Sequence, residues 1–273
     1  MNYNIRNEFE RVDFWNNRLE RKQVRIPKLL ESIERRPANL NSFSDGLDAA
    51  LIAEGLGYGP NVVWPYLNVG VDFGAAHFAS CYEIDGVETT ITYQGTNYPY
   101  TVRKGEPSSA EFFQILSAAV IARNKAAAKA LYRVPIDRFP IKSSRKFDAQ
   151  LIAILSNQEP SIEKLDATIK DAENSEEYDE GIRSYDQLIL APLFRTYRAV
   201  LKEDITEYKE FFTEALKSHI EYYRSESPNH LRALISFKLM AAAVLGFDRF
   251  GWTVPVESRV VSRWMVEGKG LDR

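Results

Sequence analysis

The chain has 273 residues, 45% of them hydrophobic and 27% charged, a balance that supports a sizeable buried core and excludes wholesale disorder. Its formal charge of −3 and pI near 5.8 exclude a global attraction to nucleic acid or to an anionic membrane surface, so a charge-driven partner has to meet a local patch. A single cysteine, Cys81, excludes an internal disulfide and any multi-cysteine metal centre.

Charges run through Met1 to Trp15, which lacks the apolar stretch of an export signal, so cytoplasmic residence is expected. Ile5, Phe9, Val12, Trp15 and Leu19 recur at helical spacing and predict an amphipathic helix that Pro27 interrupts. Leu29, Leu30 and Ile33 predict a short second helix that ends before Pro37. Ser44 is the expected N-cap of a helix through Glu54, after which Gly55, Gly57 and Gly59 break the pattern. Pro60 suits the first turn of the next helix, which runs to about Ser80 with a kink at Pro65. The uncharged run Gly55 to Val71 contains four glycines and two prolines, which makes it a poor membrane span and no membrane partner is expected. A helix apolar nearly all round belongs at the centre of the fold instead.

Val87 and Thr89 to Tyr93 are β-formers, followed by Gln94-Gly95-Thr96-Asn97 and Tyr98 to Val102, which predicts a β-hairpin within residues 82–103. From Ser108 or Ser109 the chain returns to helix, with Phe112, Ile115, Leu116, Ala119 and Val120 as the buried stripe. Further helices are expected near 124–132, 145–156, 161–172, 184–202, 204–224, 229–246 and 257–266. Asn124 and Asp204 each follow directly on a helix end and read as N-caps that set a tight antiparallel turn. The expected fold is mainly α: antiparallel helical hairpins in a tetratricopeptide-like array with one β-hairpin insertion. It reads as a single helical domain over 1–273, with 1–105 a helical part ending in the β-hairpin and 106–273 a second helical part.

Few residues point to chemistry. His77 and Cys81, four apart on a helix, would share a face, but their neighbours Phe73, Ala75, Ala76, Phe78 and Ala79 are apolar and favour a packing role. His219 lies on the same stripe as Phe212, Ala215 and Tyr222 or Tyr223, where a ring packs and a nitrogen finds a carbonyl or carboxylate. His230 follows Pro228 and Asn229 at a helix start, where exposure is the default. Walker-type loops, Gly-x-Ser-x-Gly and His-Glu-x-x-His are all missing from the sequence, so no catalytic site, metal or cofactor is expected. The strongest charge signal is in residues 160–181, eight carboxylates against two lysines. Its densest part, Asp171 to Gly181, lacks helical periodicity and reads as an exposed loop, either a solvated connection or a docking surface for a basic partner.

Several segments of the second half, taken in order, resemble the immunity protein 49 family, helical antitoxins encoded beside polymorphic toxins in bacteria. The first is an Ala-rich helix pair, Leu116 to Asn124 and Ala130 to Pro135; the second is Leu190-Ala191-Pro192-Leu193-Phe194, leading to Leu201, Asp204 and Phe211. Ala215-Leu216 with His219 and Tyr222-Tyr223 is similar to the family's Ala-Leu-x-x-His-x-x-Tyr pattern, and Val254-Pro255-Val256-Glu257-Ser258 to its Val-x-Val-Glu-Ser element. The resemblance covers about residues 110 to 266, and the chain departs after Ser258, with Val260-Val261-Ser262 where the family continues Tyr-Leu-Pro.

The resemblance implies an immunity protein that binds a cognate toxin domain and neutralises it by stoichiometric protein–protein inhibition, without catalysis and without touching nucleic acid itself. The alternative is a tetratricopeptide-like adaptor that binds a peptide or protein partner without neutralising a toxin. A basic, nucleic-acid-directed toxin is the expected partner, because phosphate binding needs Lys and Arg. The expected contact residues are Asp171, Glu173, Glu176, Glu177, Asp179 and Glu180.

Overall fold

The computed structural model describes residues 12–32, 41–82, 84, 90–99, 109–139, 142–156, 161–176, 179–226 and 231–271. Ile5, Phe9, Ile33, Val87, Thr89, Val102, Ser108, Glu177 and His230, which the sequence reading uses, lie outside the described residues. The chain is mainly α-helical and divides into two compact units, Phe9–Asp148 with Gly268–Arg273, and Met1–Glu8 with Ala149–Glu267.

The first unit opens with α1 (Val12–Ser32), α2 (Asn41–Gly55) and α3 (Pro60–Cys81). α1 is one helix with Pro27 inside it, not the two that a proline break predicts. A proline removes one donor and crowds the preceding turn, but Ile26 and Leu30 on either side are fully buried, and keeping both on one face outweighs the local cost. α2 begins at Asn41, so Ser44 lies within the helix and does not cap it; a serine hydroxyl favours a cap without enforcing one. Between α1 and α2, Lys22 donates to Asp45 at 2.6 Å and to Asp48 at 2.9 Å, and Arg25 approaches Asp45 at 2.8 Å. Asp45 is 1% exposed, a position a carboxylate holds because two cations face it.

α2 and α3 meet at backbone distance. A Cβ on Gly46 would lie 2.6 Å from the Gly70 nitrogen, and one on Gly70 would lie 2.7 Å from the Leu47 nitrogen. One turn further along α3, Gly74 accommodates Ile115 of α4 (Ser109–Ile121) in the same way. Val63, Leu67, Val71, Phe73 and Phe78 of α3 are fully buried, as its all-round apolar sequence predicts. β1 (Thr90–Tyr93) and β2 (Thr96–Pro99) pair antiparallel, with Thr90 opposite Pro99 and Tyr93 opposite Thr96. Gln94 and Gly95 between them have φ of 48° and 79°, the positive values that a two-residue I′ turn requires. Before α5 (Lys125–Leu131), the Asn124 carboxamide accepts from the Ala127 N–H at 3.0 Å and donates to Asp72 of α3 at 2.8 Å, so the cap also ties α5 to the core helix. Residues 268–271 belong to this unit too, with the Trp64 indole donating to the Lys269 carbonyl at 2.9 Å.

Within α6 (Lys142–Leu155) the chain passes to the second unit, which holds α7 (Ile162–Glu173), α8 (Glu180–Tyr185), α9 (Ala191–Leu201), α10 (Ile205–Glu226), α11 (Leu231–Leu234), α12 (Phe237–Phe250) and α13 (Arg263–Val266). Its core includes Phe194, Tyr197, Tyr208, Phe212, Leu216 and Phe237, all fully buried. The α9–α10 turn repeats the α4–α5 turn bond for bond: Glu203 donates to Val200 and Asp204 to Ala199, as Arg123 donates to Val120 and Asn124 to Ala119. In each, a residue other than glycine is left-handed, with φ of 57° at Glu203 and 51° at Arg123. That costs about 1–2 kcal/mol and is offset by the cap that follows, since Asp204 accepts from the N–H groups of Thr206 and Glu207, both at 2.9 Å.

In the second unit three helices differ from expectation. The one expected over 184–202 starts at Glu180 and passes through a π-helical segment, Asp186–Leu190, because Pro192 has no N–H for the ladder and Ala191 donates five residues back to Asp186. The one expected over 229–246 breaks at Ile235-Ser236, where the Ser236 N–H goes to the Val260 carbonyl at 2.9 Å and its hydroxyl caps α12. The one expected over 257–266 is helical over Arg263–Val266 alone. Before it, Gly251 to Ser262 is non-helical and closed by a Ser258–Val261 bridge, with Val260 and Val261 buried; Pro255 and four β-branched valines favour extended backbone there.

The glycine contact between α2 and α3 generates a prediction. Gly70→Ala should lower stability by about 1–3 kcal/mol, because the added methyl meets backbone that cannot rotate away, despite alanine's better helix propensity. Gly59→Ala, with nothing within 4 Å, is the control and should change stability by about 0.5 kcal/mol or less. Urea denaturation of both variants measures the difference.

Candidate functional site

The acidic stretch is not one loop. Asp171 and Glu173 lie in the last turn of α7, Glu176 in the connection, and Glu180 opens α8, where Asp179 is the N-cap and accepts from the Ile182 N–H at 3.0 Å. Glu177 lies outside the described residues. Helix extends into the stretch because Leu165, Thr168, Ile169 and Ala172 bury one side of α7, and because a carboxylate suits the N-terminus of α8. Asp171, Glu176, Asp179 and Glu180 are exposed, whereas Glu173 is half-buried.

Two arginines of α9 hold this acidic layer from behind. Arg195 reaches Glu173 of α7 and Glu214 of α10, both at 2.5 Å. Arg198, three residues on, reaches Asp166 of α7 at 2.5 Å and Glu207 of α10 at 3.2 Å. Burial disfavours the Arg195 charge, but its two carboxylate partners outweigh that and raise its pKa. The connection is pinned as well: Ser175 donates to the buried Asp186 carboxylate at 2.7 Å, and the Gln187 amide donates to the Glu173 carbonyl at 3.3 Å. Of the residues in these contacts, Glu173 alone is singled out by the sequence. The signal for the arginines is their i, i+3 placement on a helix whose other residues are mostly buried.

α8 is held by a chain of rings. His219 and Tyr223 of α10 have ring centroids 4.7 Å apart, Tyr222 meets Tyr223 edge-on at 5.0 Å, and Tyr185 of α8 meets Tyr222 at 5.7 Å. The Lys238 ammonium of α12 lies 4.8 Å from the Tyr185 ring centroid and donates to its hydroxyl. His219 is buried and its Nε2 donates to the Ala233 carbonyl at 3.2 Å, which fixes the tautomer because a carbonyl can only accept. Burial lowers its pKa to about 4, with the Lys238 charge adding to the effect against the carbonyl bonds that oppose it.

His77 and Cys81 do come together, with Nε2 and Sγ 3.5 Å apart, on α3. Burial lowers the His77 pKa to about 4, so a neutral imidazole sits beside the thiol, which disfavours the thiolate–imidazolium form that nucleophilic catalysis uses. Among the described residues no three metal-binding side chains come together, and no helix is long and apolar enough to cross a membrane. The excursion before α13 forms a groove of about 430 Å³ lined by Val254, Val256, Val261, Glu257, Arg259 and Arg263. Val254 to Ser258 of this excursion are the residues similar to the Val-x-Val-Glu-Ser element.

Ion pairs to Arg195 and Arg198 and a chain of rings thus back the acidic pair α7 and α8. Comparison with protein families gives a match to immunity protein 49 over residues 61–265, about fifty residues further toward the N-terminus than the motifs alone indicate. The chain belongs to the immunity protein 49 family. No curated protein and no solved structure matches it. The matched region begins at the first turn of α3, so the family resemblance takes in the central helix of the first unit as well as the acidic layer and its supports.

Two predictions follow from this geometry. Glu173→Lys should destabilise the second unit, since it removes a partner of Arg195 and sets two cations together. Glu176→Lys and Glu180→Lys should each change stability by about 0.5 kcal/mol or less, because both side chains are exposed; urea midpoints of the three variants compare them.

The second concerns pH. Both buried histidines have folded pKa values of about 4 against 6.5 for a free imidazole, so the unfolded chain binds more protons between those values. Their contribution is therefore complete above pH 6.5 and is lost as pH falls toward 4. His219→Gln, which keeps a donor for the Ala233 carbonyl, should reduce the stability lost between pH 7 and pH 5 by about 2 kcal/mol relative to the parent chain. Equal losses in denaturant titrations of the two chains would mean that His219 titrates normally.

Proposed function

We propose that this protein is a cytoplasmic immunity protein that binds a cognate toxin domain and neutralises it by stoichiometric inhibition. The observation that carries the reading is the family match over residues 61–265. The acidic layer supports it, because inhibition by occlusion needs a surface that keeps its shape, and α7 and α8 are tied to α9, α10 and α12 by the ion pairs and rings described above. We assign the contact to Asp171, Glu176, Glu177, Asp179 and Glu180, with Glu173 positioning α7. The partner best suited to that face is a basic domain, and a toxin directed at nucleic acid is basic for the sake of its own substrate. Opposed charges then speed encounter without requiring a large interface.

The test is co-expression with the toxin domain encoded by the adjacent gene, followed by purification of the complex and a growth-protection assay. A complex and protected cells are expected. With purified partners at low salt, the Glu176→Lys/Glu180→Lys double variant should associate about tenfold more slowly, and the difference should shrink as salt rises. Absence of both complex and protection overturns the immunity reading. A complex without protection identifies a helical adaptor, and equal association rates move the contact away from the acidic layer.

A further inference from the structure

We propose that the outward face of α1 docks a second copy of this chain, gripping the acidic α7–α8 face of that copy. α1 buries Trp15, Leu19, Ile26 and Leu30 on its inner side. Phe14, Arg21, Val24, Arg25 and Lys28 lie on the other side, within an arc of about 100° at 3.6 residues per turn. No acidic residue falls within that arc. Phe14 is 44% exposed and Val24 57%, the latter among the most exposed large apolar residues of the described chain. Arg25 shares its charge with Asp45, which leaves the exposed Arg21 and Lys28 to carry the outward charge on either side of Val24. α1 ends before residue 61, where the family match begins, so the structure common to the family does not account for this face.

The acidic face has the same plan with the opposite sign. Ile182 of α8 is 40% exposed, and the exposed Glu176, Asp179 and Glu180 precede it in sequence, with the half-buried Arg183 directly after it. Exposed apolar residues beside exposed charges are common in small protein interfaces, and here the two faces carry charges of opposite sign. The net charge of −3 disfavours a polyanion such as nucleic acid or an anionic membrane as the occupant of two exposed cations, whereas a second copy presents the matching face. The contact joins different surfaces of identical chains, so it either closes reciprocally in a two-fold dimer or extends head to tail into a ring or an open chain. It is weak and dependent on salt, since exposed ion pairs are individually marginal. The inference stands apart from the toxin reading, although a second copy would occupy the same acidic face.

Sedimentation velocity on the purified full chain tests it. In 0.01 M salt, where the screening length is about 30 Å, the weight-average mass should rise above that of the monomer with concentration; in 1 M salt, where it is about 3 Å, the chain should be monomeric. Arg21→Glu/Lys28→Glu and Glu176→Lys/Glu180→Lys should each be monomeric at low salt, because each makes both faces alike in sign. An equimolar mixture of the two should associate again, since every face then has an opposite partner. Val24→Asp should also weaken association, and circular dichroism establishes that all variants fold. A parent chain that stays monomeric at low salt up to about 1 mM, the weak end of measurable affinity, overturns the proposal. So does association that persists in 1 M salt or in both charge reversals. The assay contains only this protein, so failure leaves the toxin reading unaffected, and failure of the toxin assay leaves this one unaffected.

Discussion

Carboxylates repel one another, and residues 160–181 contain eight of them against two lysines. The second unit accommodates that density because α9 sets Arg195 and Arg198 behind the layer, each joining α7 to α10. Four carboxylates on two helices are thereby drawn to one central helix, and the exposed acids beyond them include Asp171 near the end of α7, Glu176 in the connection, and Asp179 and Glu180 at the start of α8. Solvent screens such pairs, so their effect is to position the helices and not to supply much free energy. The burial of Leu165, Ile169, Phe194 and Phe212 supplies the greater part of the cohesion.

The same division of labour explains the motif around His219. Its imidazole is buried, neutral and bonded to a backbone carbonyl, and Tyr222 and Tyr223 continue from it to Tyr185 on α8. These residues are therefore the back wall of the acidic face. A histidine in this role packs as an aromatic ring while satisfying a carbonyl that a phenylalanine would leave without a partner.

The first unit rests on a different constraint, the close approach of α2 and α3 at Gly46 and Gly70. Removing two side chains from a crossing lets backbones touch, and the apolar surface of α3 is then covered by neighbours on several sides. That is why a helix with apolar residues all round stands at its centre. α1 joins this core through one buried stripe and the Lys22, Arg25 and Asp45 ion pairs, which leaves its basic face directed outward.

Local chemistry made much of this legible in the amino-acid order alone. The predominance of helix, the central place of α3, the caps at Asn124 and Asp204, the packing role of His219 and the immunity protein 49 membership all follow from periodicity, cap residues and ordered motifs, which act over a few residues. Tertiary structure decided the rest. Pro27 stays inside α1 because Ile26 and Leu30 are both buried, Pro192 turns a stretch of helix into a π segment, and Val260 and Val261 draw the last expected helix into an extended excursion. It also divided the acidic run into supports and exposed residues, since Glu173 and Glu176 are alike in sequence and differ by whether Arg195, 22 residues beyond Glu173, can reach them. A charge run reports its sign locally, but its partners arrive from helices elsewhere in the chain, and packing alone brings them together.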